Sequence, residues 1–453
     1  MTPMDRFFRI TERGSSVRTE VLAGLATFAT MAYILVVNPS ILGAVADGSG
    51  LKLDHAQLVT ATALVAGLLT IAMGVFANVP MALAAGLGIN AFVTYTLVAG
   101  RGLDWSDAMG VIVIEGVIML VLVLAGLREA IMNAIPDALK RSIGAGIGLF
   151  IALIGLVNAG IVQHPKDGGT IVALSGDIAT WNTLVFVVGL VAIGVLVSRR
   201  VPGALLIGIL LATVLGIVIN AISSGTPVPG AELPDSVTAA PDFGLVGDVS
   251  FNVFDALGIG AAIAVVVAVL MANFFDAMGT ALAVGRRAEL LDDAGRLPML
   301  RRVLLVESVG AVAGGAASAS SNTIFVESTA GAAQGARTGL ANATTGVLFL
   351  LCMFVAPLAA VIPSAATGPV LVAVGALMLS QIAGIDWDDM GVALPAFATI
   401  ALMPFTYSIA NGVGAGVVLY VLIAVLRGRW RDVHPLLAVV AGVFVWYFSY
   451  GTV

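Results

Sequence analysis

The chain has 453 residues, 59% hydrophobic and 11% charged, with a formal net charge of −6 and a mean hydropathy of +1.07. That charged share is about half the figure for a soluble domain, and no water-soluble core needs so much apolar sequence, so a multi-span membrane protein is predicted. One cysteine, Cys352, and three histidines, His55, His164 and His434, exclude an intrachain disulfide and argue against a metal centre. No metal, cofactor or nucleic-acid partner is expected; the lipid bilayer is the surrounding medium.

Residues 1–20 are charged and lack the apolar stretch and small-residue cleavage site of a signal peptide, so the first span is expected to insert the chain. A crossing of about 30 Å of hydrocarbon takes roughly 20 apolar helical residues. Apolar stretches in chain order fall near 21–43, 57–77, 80–99, 105–127, 136–157, 181–198, 203–222, 254–284, 302–318, 324–336, 338–360, 363–381, 391–425 and 434–450, fourteen candidate spans. The stretches 80–99 and 324–336 are rich in glycine and polar residues and make poor continuous helices.

The segment 223–253 carries Glu232, Asp235, Asp242 and Asp248, several prolines and no Lys or Arg, and reads as an outer linker between two halves. Arg6, Arg9, Arg13 and Arg18, then Arg128, Lys140 and Arg141, then Arg199 and Arg200, and the 286–302 cluster fall inside if the N-terminus is cytoplasmic. Arg427, Arg429 and Arg431 resist this scheme, because fourteen simple crossings put them outside; a broken segment around Pro395 and Pro404 would bring them back.

The halves repeat. Pro136 and Pro363 each open a Gly-rich helix, Pro202 and Pro435 each precede the last helix of their half, and Asn90 is matched to Asn322 as its counterpart, at offsets of 227, 233 and 232 residues (363 − 136, 435 − 202, 322 − 90). Seven spans per unit force the second copy into opposite orientation, as in many secondary transporters. The expected fold is therefore all-α and polytopic, with 18–222 as one repeat and 254–450 as the other. In such folds the site lies near the midplane between two interrupted helices, here the third and tenth spans. The Gly86-Leu-Gly88 and 318–323 stretches allow extended backbone, which at membrane depth must be paired; short antiparallel strands are expected, with the following helix N-termini turned toward the centre.

Asp276, Glu327 and Glu115 lie within apolar spans, where a carboxylate is costly and usually faces a cavity or a partner. A purely structural helix–helix bond competes with function most strongly for Glu115; Glu307 is expected near a helix end. Asn90, Asn273 and Asn322 offer donor and acceptor together, which suits a planar heterocycle, although an asparagine also bridges helices. Phe325 either stacks on a ring or fills the core. Arg337 is expected to be an anchor at the end of the tenth span.

Several runs carry a resemblance: Arg18-Thr-Glu20 with Met31-Ala-Tyr33 and Asn38-Pro39, the 86–92 run, 274–280, Phe325-Val-Glu-Ser-Thr-Ala-Gly331, Arg337-Thr-Gly-Leu340 and Ile385-Asp-Trp-Asp-Asp389. Together they resemble the AzgA-like branch of the nucleobase/cation symporter-2 family, the adenine, guanine and hypoxanthine permeases, over 18–448. The resemblance implies a seven-plus-seven inverted repeat in the cell membrane, with a core domain of spans one to four and eight to eleven and a gate domain of the rest. It implies a substrate site of Asn90, Asn273, Asp276, Phe325, Val326, Glu327 and Ser328, proton coupling through Glu327 and Asp276, an elevator-like motion and a homodimer. Many relatives carry Asp-x-x-Asp where this chain has Asn273-Phe-Phe-Asp276, and a proline where it has Ala85. The expected activity is purine import by proton symport, with a uracil or xanthine carrier, an anion transporter and a membrane enzyme as rivals.

Overall fold

The computed structural model of the protein describes residues 3–127, 135–163, 172–176, 178–223, 227–234, 236–293 and 296–450, side chains of 274–279 and 450 excepted. In the first half, α1 (Val17–Met31) and α2 (Ile34–Leu42) make one interrupted span, followed by α3 (His55–Ala72). Strand β1 (Leu83–Ala85) leads into α4 (Leu87–Ala91), which widens into a π-helical stretch, Phe92–Ala99. Helices α5 (Trp105–Leu124), α6 (Asp137–Asn158), α7 (Trp181–Ser198) and α8 (Ala204–Ile222) complete the half.

The second half opens with α9 (Ile259–Arg287) and α10 (Leu300–Ala316), then β2 (Asn322–Ile324) and α11 (Ser328–Ala333). It continues through α12 (Gly339–Cys352), α13 (Ser364–Leu379), α14 (Met390–Phe405), α15 (Ile409–Leu426) and α16 (Pro435–Tyr450). Short polar side chains start many of these helices by accepting an otherwise orphaned N–H. Ser16 accepts from Thr19, Asp54 from Gln57, Thr180 from Thr183, Thr338 from Leu340 and Ser408 from Asn411. Nine helical spans among the described residues are long and apolar enough to cross a membrane. The protein is a multi-pass membrane protein.

Strands β1 and β2 pair antiparallel in the register Leu83↔Ile324, Ala84↔Thr323 and Ala85↔Asn322, as expected for the third and tenth spans. Gly86 N donates to Ser321 O at 2.9 Å and Phe325 N to Ala82 O at 3.0 Å. These bonds fix which residues face the partner strand. Alternation along an antiparallel ladder makes 82, 84 and 86 the hydrogen-bonded positions and turns the peptide groups of Leu83 outward. In hydrocarbon those groups need another partner. The buried Thr70 hydroxyl supplies it, accepting from Leu83 N at 2.9 Å and donating to Leu83 O at 3.0 Å. Ser328 Oγ accepts from Ala82 N at 3.0 Å, and Asn342 Nδ2 donates to Met81 O at 2.7 Å.

Small residues bring helices close around this ribbon. Helix α12 meets α3 and the π-helical turn that follows it, Met73–Ala77, glycine on glycine, so that a Cβ added at Gly346 would stand 2.6 Å from Gly67 O and one added at Gly339 would run into the Gly74 backbone. Helices α6 and α13 do the same, with an added Cβ at Gly155 only 2.7 Å from Gly368 O and one at Gly148 only 2.7 Å from Gly375 O.

The two ends of the bundle differ in charge. At one, Arg13 Nη1 donates to Asn78 O at 2.5 Å and to Arg337 O at 2.9 Å, Arg337 N donates to Glu20 Oε1 at 2.9 Å, and Arg337 pairs with Glu289 at 2.9 Å. At the other, Asp47 Oδ2 accepts from Trp105 N at 3.2 Å, Asp107 Oδ1 from Asn252 N at 3.1 Å, and Asp242 Oδ2 from Gln57 Nε2 at 3.0 Å.

The stretch 391–425, expected as one span, is two helices. Pro404 lies at the end of α14, Tyr407 takes a left-handed φ of 54°, and Ser408 caps α15, which packs back along α14. Arg427 thereby returns beside Asp389, with Nη1 2.6 Å from Oδ1. The hairpin removes the conflict over Arg427, Arg429 and Arg431, because they end on the same side of the bundle as Asp389.

Candidate functional site

The ribbon crossing is where both halves bring polar groups to the interior. Glu327 stands immediately before α11, half-buried, and its Oε1 accepts from the Tyr33 hydroxyl at 2.7 Å. Tyr33 is 1% exposed and occupies the interruption between α1 and α2, where Leu35 N and Val36 N bond back three residues to Ala32 O and Tyr33 O. That tightened turn presents the phenol to the tenth span. Thr30 Oγ1 also approaches Glu327 O at 3.4 Å.

Asn90 lies in α4, fully buried, and neither atom of its amide has a hydrogen-bond partner among the described residues. Such a group costs on the order of 1–3 kcal/mol when left unmet. Asn273, in the middle of α9, is also fully buried, but its Nδ2 donates to Ser321 Oγ at 2.8 Å and Glu115 Oε1 at 3.1 Å, leaving Oδ1 without a partner among the described residues. It ties α9 to α5 and to the residue before β2. Asp276 follows in α9; its side chain lies outside the described residues.

The 325–328 run divides by side chain. Phe325 is 6% exposed and joins the main hydrophobic cluster, Val326 is 53% exposed, and Ser328 is buried with its hydroxyl on Ala82 N. Among the described residues no hydrogen bond links Asn90, Asn273 and Glu327 directly; they share the crossing, each on a different element. No group of three His, Cys, Asp or Glu residues that could hold a metal occurs among the described residues.

Two expectations about neighbouring residues are corrected. Glu307 is not at a helix end: it is fully buried inside α10, and its Oε1 accepts from Thr323 Oγ1 at 3.1 Å. Asn322 is not the equivalent of Asn90. It lies in β2 opposite Ala85, whereas Asn90 lies in the helix beyond β1, so their elements differ.

Residues 18–415 match the profile of the Permease family (Xan_ur_permease). The chain belongs to this family. Adenine permease AdeQ of Escherichia coli (strain K12) is 39% identical over 442 residues, covering 97% of this chain and 95% of that one. Guanine/hypoxanthine permease PbuG of Bacillus subtilis (strain 168) is 39% identical over 450 residues, covering 99% of this chain and 100% of that one. The transmembrane domain of a cyanobacterium bicarbonate transporter, BicA, superposes with a TM-score of 0.64 at 18% identity, covering 87% of this chain and 97% of that one. At that identity the likeness is one of fold.

In the sequence of this permease Tyr33 figures only as part of a motif, with no role of its own. Its signal was an isolated hydroxyl inside an apolar run next to a proline-containing segment, which by itself does not reveal a partner 294 residues away. Equally illegible in sequence is a cavity of about 380 Å³ on the aspartate-rich side, between the end of the π-helical stretch Phe92–Ala99, the α14–α15 turn and Tyr447.

Proposed function

We propose that this permease carries purine nucleobases across the cell membrane by proton symport, with the base held at the ribbon crossing. The observation that carries the reading is the Glu327–Tyr33 pair. A half-buried carboxyl group sits where β2 gives way to α11, bonded to a phenol at 2.7 Å and paired with no Lys, Arg or His among the described residues. A carboxyl group without a cation can exchange its proton when a ligand or water reaches it. Protonation is then tied to occupancy. Glu327 would accept ring N–H groups, and the amide of Asn90, unpartnered among the described residues, would meet further donors and acceptors of a base edge. Asn273 and Ser328 already have protein partners and would set the walls, while Asp276, Phe325 and Val326 complete the proposed site. No covalent step is involved.

Packing supports an elevator-like division. Helices α1 and α3 lie against α12, α11 against α1, and α10 against α5, whereas α13 packs on α6 and α7, and α14 on α6 and α15. The first group would move as a core against the second as a gate. The names of the relatives, adenine and guanine/hypoxanthine permeases, support a purine over a pyrimidine.

The test is uptake of radiolabelled adenine, guanine, hypoxanthine, xanthine and uracil into proteoliposomes, with and without an inward proton gradient, for wild type and Glu327→Gln. Gradient-driven purine uptake lost in the variant is expected. Uptake indifferent to both gradient and Glu327 overturns the coupling mechanism. Absence of uptake of every base overturns the substrate reading.

A further inference from the structure

We propose that the cavity on the aspartate-rich side is a second binding site, a vestibule that takes a planar heterocycle through a carbonyl-bearing edge before it reaches the ribbon crossing. The inference rests on the transport reading and goes beyond it by naming another site and its preference.

The cavity measures about 380 Å³, at the lower end of the range of about 300–1,000 Å³ typical of small-molecule sites. It lies between elements of the two proposed moving bodies. One wall is the end of the third span, from Tyr95 to Arg101. The opposite wall is the turn from Thr406 to Asn411, and Tyr447 of α16 closes the side. The turn is held in place: Thr96 Oγ1 donates to Tyr407 O at 3.4 Å, and the Tyr407 ring meets Tyr95 edge-to-face at 5.8 Å and Phe150 at 5.2 Å. Flat aromatic walls suit a flat ligand.

Its charged group and its free amide NH₂ are donors, while the hydroxyls of Tyr95, Thr406, Tyr407 and Ser408 can donate or accept. Arg101 is the charged residue of the lining. Its guanidinium lies 5.3 Å from the Tyr447 ring centre and donates to the Tyr447 hydroxyl, and no carboxylate among the described residues pairs with it. The Tyr447 hydroxyl in turn donates to Asn411 Oδ1 at 3.1 Å. That bond engages the acceptor half of the Asn411 amide and leaves its NH₂ free to donate. An arginine has five N–H groups and no acceptor, so most of its donors remain for a ligand.

A cavity with donors from Arg101 and Asn411 and, among the described residues, no carboxylate in its lining favours ligands that bring acceptors. A 6-oxopurine presents a carbonyl oxygen and a ring lone pair there. Adenine presents an amino group at the same place, which faces donor against donor. The site therefore favours oxo-bearing bases.

The experiment reads the cavity without relying on transport. Thr406 is exposed and lines it, so Thr406→Cys in a Cys352→Ala background is labelled with a membrane-impermeant maleimide applied to the aspartate-rich face. Hypoxanthine is expected to slow labelling, adenine to do so at least about fivefold less effectively at equal concentration, and the protection to persist in Glu327→Gln. Uptake provides the second readout: Arg101→Met is expected to raise the KM for hypoxanthine about tenfold, the loss of one charge-assisted bond, and that for adenine less than twofold. Arg101→Lys, which keeps a cation, should fall between. Labelling that no base slows, equal protection by both bases, or a cysteine that does not label overturns the vestibule. If bases are taken up while any of these holds, only this inference fails; if no base is taken up by wild type, the transport reading fails and the vestibule with it.

Discussion

Thr70 tests whether the ribbon is stable because its outward peptide groups are met by side chains. Thr70→Val is nearly isosteric and removes both bonds to Leu83, at 2.9 and 3.0 Å, from a residue that is 0% exposed. Each buried peptide group left unmet costs about 1–3 kcal/mol, so the two together cost about 2–6 kcal/mol. Unfolding entropy of about 2.1 cal/mol/K per residue, scaled to 453 residues, converts 1 kcal/mol into about 1 °C. Thr70→Val is therefore expected to lower the Tm of the detergent-purified protein by about 2–6 °C. Thr70→Ser keeps the hydroxyl and loses one methyl, for about 0.8 kcal/mol and about 1 °C. Scanning fluorimetry on the three proteins at one detergent concentration provides the comparison. A valine variant as stable as wild type, or a serine variant that falls as far as valine, refutes the account of the ribbon edge.

Gly339→Ala drives a Cβ into the Gly74 backbone and should cost about 1–3 kcal/mol by overpacking, whereas Gly442→Ala, with nothing within 4 Å, should be neutral or slightly stabilising in the same assay. Tyr33→Phe removes the bond to Glu327 and is expected to raise the KM for purine uptake about tenfold with little change in Tm; an unchanged KM separates Tyr33 from the site. Burial pushes the Asp47 carboxyl up, but hydrogen bonds from Ser49, Trp105 and Leu51 more than offset it, so the folded value lies below the ordinary 3.8. Its stabilisation is complete above the unfolded value and fades as pH falls through the folded one, so acid below about pH 4 should cost wild type more Tm than Asp47→Asn. In a Cys352→Ala background, Arg429→Cys is expected to label from the same side of the membrane as Arg9→Cys; labelling from opposite sides contradicts the α14–α15 hairpin.

Hydropathy fixes which segments enter the bilayer because the transfer of apolar side chains into hydrocarbon adds up along a segment, so the membrane class and most helical spans are legible from local sequence. The strands at 83–85 and 322–324 are legible for a related reason: glycine and serine clusters at membrane depth are tolerated only where the backbone finds a partner. Composition could not say which groups provide that partner. Thr70, Ser328 and Asn342 become ribbon caps only when helices far apart in sequence are brought together. The same holds for Glu327, whose apolar context marks it as costly, and for Tyr33, which acquires a role only by meeting it. Asn90 and Asn322 look alike in sequence because both are asparagines near small residues, and the register separates them. The 391–425 stretch is continuous in hydropathy, so its division at Thr406–Ser408 follows from packing of α14 on α15 and the left-handed turn at Tyr407. The sequence by itself determined what must be buried in lipid; the tertiary structure decided which polar groups meet there, because a hydrogen bond at depth is a property of two distant segments and hydrophobicity is a property of one.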